Sequence, residues 1–165
     1  MPFSIQQQGM GYWCWLAVAA SVGDFFARVQ GLHRQCDLAQ SLVQSLPSGT
    51  QCCDAPTPNA CDRTGFLSHA LIHVGHFNRA EKGLSSFSTI ETEIARGNPV
   101  ALLLIYGAGV PHTVAVSDAY EANGQQYLVV DDPHPSYGPG NITLYGTTHV
   151  HAGSWNMTYF TQDKP

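Results

Sequence analysis

Gln8-Gly9-Met10-Gly11-Tyr12-Trp13-Cys14-Trp15-Leu16-Ala17 is the stretch from which the rest of the chain is read. Two glycines give way to a run (Trp15, Leu16, Ala17, Val18, Ala19, Ala20, Val22, Phe25) that is apolar on nearly every face. Such a run predicts a buried helix over Trp13–Phe26. A thiol at its start sits where unpaired N–H groups and the helix dipole stabilise a thiolate, presented by a rigid element. Gln8, six residues earlier, can donate its amide to an oxyanion forming at that thiol. A shift of one residue would put Gln7 there instead.

Outward from this helix, the first half of the chain reads helical and the second half reads as strands. Asp37 is expected to cap a short helix through Val43. Phe66, Leu67, Ala70, Leu71 and Val74 follow the helical period, which predicts a helix over Thr64–Gly75. Ser88 with Glu91 reads as a capping box for another, ended by Gly97. After Pro99 the period changes. Val100–Tyr106 is a continuous apolar strand, Thr113–Val116 a second, and Asn123-Gly124 joins Ala119–Ala122 to Gln125–Val130 as a hairpin. Ile142–Tyr145 and Trp155–Phe160 close the sheet. The expectation is one α+β domain over residues 1–165, with a helical half at about 1–97 and an antiparallel sheet half at about 98–165.

Composition narrows the function. A net charge of −5, with 7 Lys and Arg that nowhere cluster, argues against a nucleic-acid surface. The apolar run Val100–Tyr106 is too short to span a membrane. Met1-Pro2-Phe3 has neither the basic nor the apolar region of a signal peptide. Of the five cysteines, Cys36, Cys52, Cys53 and Cys61 cluster in a Gly- and Pro-rich segment, and Cys14 stands apart. An odd count with one outlier predicts two disulfides plus one free thiol, in an oxidising compartment. The pairing stays open among three connectivities, Cys52 with Cys53 being the most strained. A zinc site of three cysteines with His69 or His73 is the competing reading, although the spacing matches no common zinc ribbon.

A nucleophilic thiol needs a base, and the base needs a third group to hold its tautomer. His112 stands at the mouth of a strand behind Pro111 and a Gly-containing turn. Asp131 and Asp132 end the neighbouring hairpin strand, where a short antiparallel pairing brings one of them beside His112.

These elements resemble a known family. Gln8 to Ala17 is similar to the Gln-x5-Cys-Trp-x-Ala nucleophile helix of papain-like cysteine peptidases. Pro111-His112-Thr113-Val114-Ala115-Val116 followed by Val130-Asp131-Asp132-Pro133 resembles the His-strand and Asp-Pro elements of the compact bacterial branches, the C39-like and AvrRpt2-type effector peptidases. Gly97-Asn98-Pro99-Val100 resembles the segment before their central strand. The resemblance implies Cys14 as nucleophile, His112 as general base and Gln8 in the oxyanion hole. It points to Asp132, directly before Pro133, as third member, with Asp131 as the alternative. The chain departs from plant papain in lacking Cys-Gly-Ser-Cys-Trp and any Asn-Ser-Trp after the histidine.

The implied function is peptide-bond hydrolysis by a secreted, periplasmic or delivered monomer. The implied partner is a protein or peptide substrate, with an inhibitor or immunity protein as a further partner. No cofactor and no metal are expected. The same machinery serves amidases, deamidases and peptidoglycan hydrolases, and a catalytically dead binding module is the non-enzyme alternative. His69, His73 and His76 have helical spacing and read as a polar face rather than a metal site. His149 and His151 alternate on a strand. Trp13 and Trp15 read as packing residues, and Asn141 and Asn156 begin glycosylation sequons.

Overall fold

In the computed structural model, which describes residues 1–148 and 153–163, the Gly9–Gly11 turn feeds helix α1 (Cys14–Ala27), buried from Cys14 to Asp24. Packed around it are α2 (Gln35–Leu42) and α3 (Leu67–Val74), followed by α4 (Phe87–Ala95). Strands β1 (Phe77–Lys82), β2 (Val100–Tyr106), β3 (Pro111–Ala122), β4 (Gln125–Asp131), β5 (Asn141–Leu144) and β6 (Gly153–Thr161) form one six-stranded sheet. The order is β1-β6-β2-β3-β4-β5, antiparallel throughout. This is the α+β architecture expected, with the Cys14 helix against an antiparallel sheet. No described helix is long and apolar enough to cross a membrane.

The continuous apolar run of β2 is explained by its place between two cores. Ala101, Ala115 and Tyr159 face α1, α2 and α3, while Leu102, Leu104, Val114, Val116 and Phe160 pack with Phe87 and Ile90 of α4. Alternation along a strand divides its side chains between these two layers. Asn123 and Gly124 both have positive φ, 52° and 73°, as the two-residue hairpin turn requires.

Several local expectations are corrected. β1 lies in the half read as helical; its polar, alternating Phe77–Lys82 has the look of a loop, yet it pairs with β6 at the sheet edge. Thr113–Val116 and Ala119–Ala122 are one strand, continuous through a register shift between Val116 and Asp118. Asp37 does not cap α2: the helix begins at Gln35, and Asp37 holds Arg34 through two hydrogen bonds of 2.6 and 2.7 Å from its first turn. α4 is capped by Ser86, which accepts from the Thr89 amide, because burial of Phe87 draws the helix start forward. α3 begins three residues later than expected, since Thr64–Phe66 runs extended beside Trp15.

The cysteine cluster closes as Cys36–Cys53 and Cys52–Cys61, leaving Cys14 as the free thiol. Those bonds consume the thiols that the zinc reading needs. His76 lies beyond the end of α3, stacked on Phe26 at 4.5 Å with Nδ1 2.9 Å from the Gln162 carbonyl, so the His69/His73/His76 row does not converge. His149 and His151 lie outside the described residues.

Candidate active site

α1 starts at Cys14 itself. Its N-cap, Trp13, makes no side-chain capping bond and no acidic residue occupies the first turn. The first intrahelical bond is Ala17 N–H to the Trp13 carbonyl, 2.9 Å. The amides before it are the orphan donors of a helix start, so the sulfur sits at a helix end that no side chain caps. The approach to the helix is fixed from outside. Asp62 accepts the Tyr12 amide at 2.7 Å, and the Trp13 indole donates to the Cys61 carbonyl at 2.7 Å. Trp13 is therefore core, and Trp15 is too, donating to the Arg63 carbonyl at 3.0 Å while its ring covers Gly65. A Cβ at Gly65 would lie 2.4 Å from that ring, which is why only glycine fits there.

His112, on β3, lies over Cys14, and its Nε2 is 2.8 Å from Oδ1 of Asp132. The Asp132 side chain is 0% exposed and that of His112 9%. The same carboxylate oxygen accepts the His134 amide at 2.7 Å. Asp131 points elsewhere, accepting the Gly140 amide at 2.8 Å and tying down the Pro/Gly loop. Strand alternation explains the divergence of the two neighbours. Burial alone opposes a charged imidazole. Hydrogen bonding to Asp132 and Cys14 and the attraction of both outweigh it, pushing the His112 pKa up to about 9. Tyr106 stacks on His112 at 5.8 Å and His134 meets it edge-on at 6.4 Å. Burial, then the charge of Asp132, Tyr137 and Cys14, raises the Tyr106 phenol well above its ordinary value.

Gln8 lines the same cavity, and its backbone N–H donates to the Pro133 carbonyl at 2.9 Å, joining the segment before Cys14 to the Asp132 loop. Its side-chain nitrogen donates to the Met10 and Gly11 carbonyls at 2.9 and 2.8 Å, and its Oε1 is buried without a partner among the described residues. Gln7 faces solvent, its carbonyl accepting from Gln35. The cavity is about 360 Å³ and runs between the helical layer (Trp15, Phe66, Leu67) and the sheet (Leu103, Tyr159) with Cys14 and His112 at one side.

The sequence assigns no site role to Tyr106, His134, Asp62, Gly65 or Tyr159. Only Gly65, next to an amphipathic helix start, carried a local signal of close approach.

A helix-borne cysteine, a strand-borne histidine and a buried aspartate, arranged around a cleft between a helical layer and an antiparallel sheet, define a papain-like cysteine-peptidase fold. Among solved structures, the chain is similar to the peptidase domain of Streptococcus ComA, a bi-functional ABC transporter involved in a quorum-sensing pathway, with a TM-score of 0.60 and 18% identity. That match covers 98% of this chain and 99% of the other. The peptidase domain of Streptococcus mutans ComA matches with a TM-score of 0.46 and 15% identity over 96% and 98% of the two chains. No family model and no curated protein matches the sequence.

Proposed function

We propose that the protein is a cysteine peptidase that cleaves peptide bonds through a thioester on Cys14. The observation that carries this is the buried His112–Asp132 pair, 2.8 Å apart, set over the free thiol at an uncapped helix start. Asp132 fixes the tautomer and orientation of His112, leaving Nδ1 for the thiol. The Cys14 sulfur bonds to the substrate carbonyl carbon, the C–N bond breaks, and the imidazolium of His112 gives its proton to the departing amine. Water, deprotonated by His112, then displaces the sulfur and releases the carboxylic acid. The Cys14 backbone N–H supports the oxyanion. Gln8 joins it by turning one amide proton away from the Met10 or Gly11 carbonyl.

The two disulfides support an extracytoplasmic working place for this activity. The motif order of Gln8, Cys14, His112 and Asp132-Pro133 supports the compact bacterial branch. The experiment is iodoacetamide labelling with peptide-library cleavage, wild type beside Cys14→Ala. One modified thiol and cleavage, both lost in the variant, are expected. An inert thiol in a folded protein, with no cleavage, rules out the peptidase.

A further inference from the structure

The cleft beside Cys14 has no lysine, arginine, aspartate or glutamate on its walls. Its rim carries Phe66 and Val110, 69% and 42% exposed, and its walls are Trp15, Leu67 and Leu103. Away from the Cys14–His112 side, a charged side chain entering this space would lose its water without an opposite charge on the walls. The floor, however, is not apolar. Leu103 of β2 pairs with Thr113 on one side and Met157 on the other, and Ala101 pairs with Tyr159, so Thr113 and Tyr159 stand on the same face of the sheet. Both line the cavity, and both are more than nine-tenths buried. Among the described residues neither hydroxyl has a hydrogen-bond partner, whereas the other buried hydroxyls Ser21, Ser85, Thr143, Thr158 and Thr161 all have one. Burial holds the Tyr159 phenol above its ordinary pKa, so it keeps its proton to donate.

We propose that Tyr159 is a specificity-determining residue and that this pocket takes a neutral substrate side chain with an apolar stem and a carboxamide tip, glutamine. This rests on the reading of the cleft as a substrate site. An amide presents one acceptor and two donors. Its carbonyl takes the Tyr159 O–H, and its N–H groups find the Thr113 oxygen. The two methylenes of glutamine run past Trp15, Leu67 and Leu103 from rim to floor. A purely apolar side chain of the same length strips water from both hydroxyls and returns nothing, the situation in which a site discriminates strongly against an analogue lacking the polar group.

The test measures binding to the Cys14→Ala protein, so that it does not depend on turnover. Peptides identical except for one residue carry glutamine or its near-isostere norleucine, walked through the four positions around the scissile bond. Calorimetry should find one position at which glutamine binds about tenfold tighter. Adding Tyr159→Phe should bring that ratio to about one without weakening norleucine. Thermal melting should leave the Phe variant unchanged, because the hydroxyl supports nothing in the fold. A ratio unaltered by Tyr159→Phe, a preference for norleucine, or no discriminating position overturns the proposal. Failure of the peptidase reading has a different signature: intact glutamine selectivity in binding, with no cleavage by the wild type.

Discussion

Asp132 and His112 form a hydrogen-bonded pair at 2.8 Å that is closed to solvent on the carboxylate side, while the adjacent Asp131 binds the Gly140 amide 2.8 Å away. Two consecutive carboxylates thus divide between the His112 imidazole and the loop. Asp132→Asn should lower kcat by about 10²- to 10⁴-fold with a smaller effect on KM. Asp131→Ala should lower the melting temperature, since the Gly140 amide loses a charged acceptor and the Pro/Gly loop its tether, while leaving the kcat of the folded fraction near wild type. Steady-state kinetics beside thermal melts separate the two.

The same pair predicts a pH dependence. Folding raises the His112 pKa from its ordinary 6.5 to about 9, so the folded state keeps a proton that the unfolded chain releases. The stabilisation is complete below about pH 6.5 and is lost as pH rises through 9. Urea midpoints should fall across that window, and the fall should be shallower in Asp132→Asn. Thiol reactivity should show its basic limb near the same value if the imidazolium takes part.

Gly65→Ala alters the Thr64–Phe66 strip, which lines the cavity with Cys14. Its Cβ would enter the Trp15 ring, so the indole or the strip must move. Overpacking of this kind costs about 1–3 kcal/mol. Denaturant unfolding should report that loss, and peptide affinity for the cleft should weaken with it.

The two disulfides should be unequal. Cys52 and Cys61 are fully buried within the helical core, and the Cys61 carbonyl anchors the Trp13 indole beside Cys14. Cys36 and Cys53 lie nearer the surface. Paired Cys→Ser replacement at 52 and 61 should cost about 2–5 kcal/mol and reduce activity. Replacement at 36 and 53 should cost less and spare it. Melting curves with activity assays on both variants check this order.

Much of this was legible in the chain because it depends on strong local signals. The all-round apolar stretch after Gly11 could only be a buried helix, and Asn123-Gly124 could only be a tight hairpin. What stayed hidden depends on partners far away in sequence. β1 has polar residues and little strand propensity; its pairing with β6, 75 to 84 residues on, makes it a strand. The helix caps moved because the burial of Phe87 and the bonding of Gln35 outweigh the local preference of Ser88 and Asp37. Asp131 and Asp132 differ only in which way each side chain leaves the strand end, a tertiary distinction. The floor of the cleft was invisible for the same reason: Tyr159 has no meaning until β6 is laid beside β2.

That placement of β6 has a consequence for synthesis. β6, the last of the described strands in chain order, is an interior one, flanked by β1 and β2. A chain emerging from its N-terminus must therefore hold those two strands with open edges until residues 153–161 are available. Such late, long-range closure is slow and leaves edges prone to association. It also delays completion of the cleft: the thiol of Cys14 is made about 145 residues before Tyr159, the tyrosine that floors its pocket.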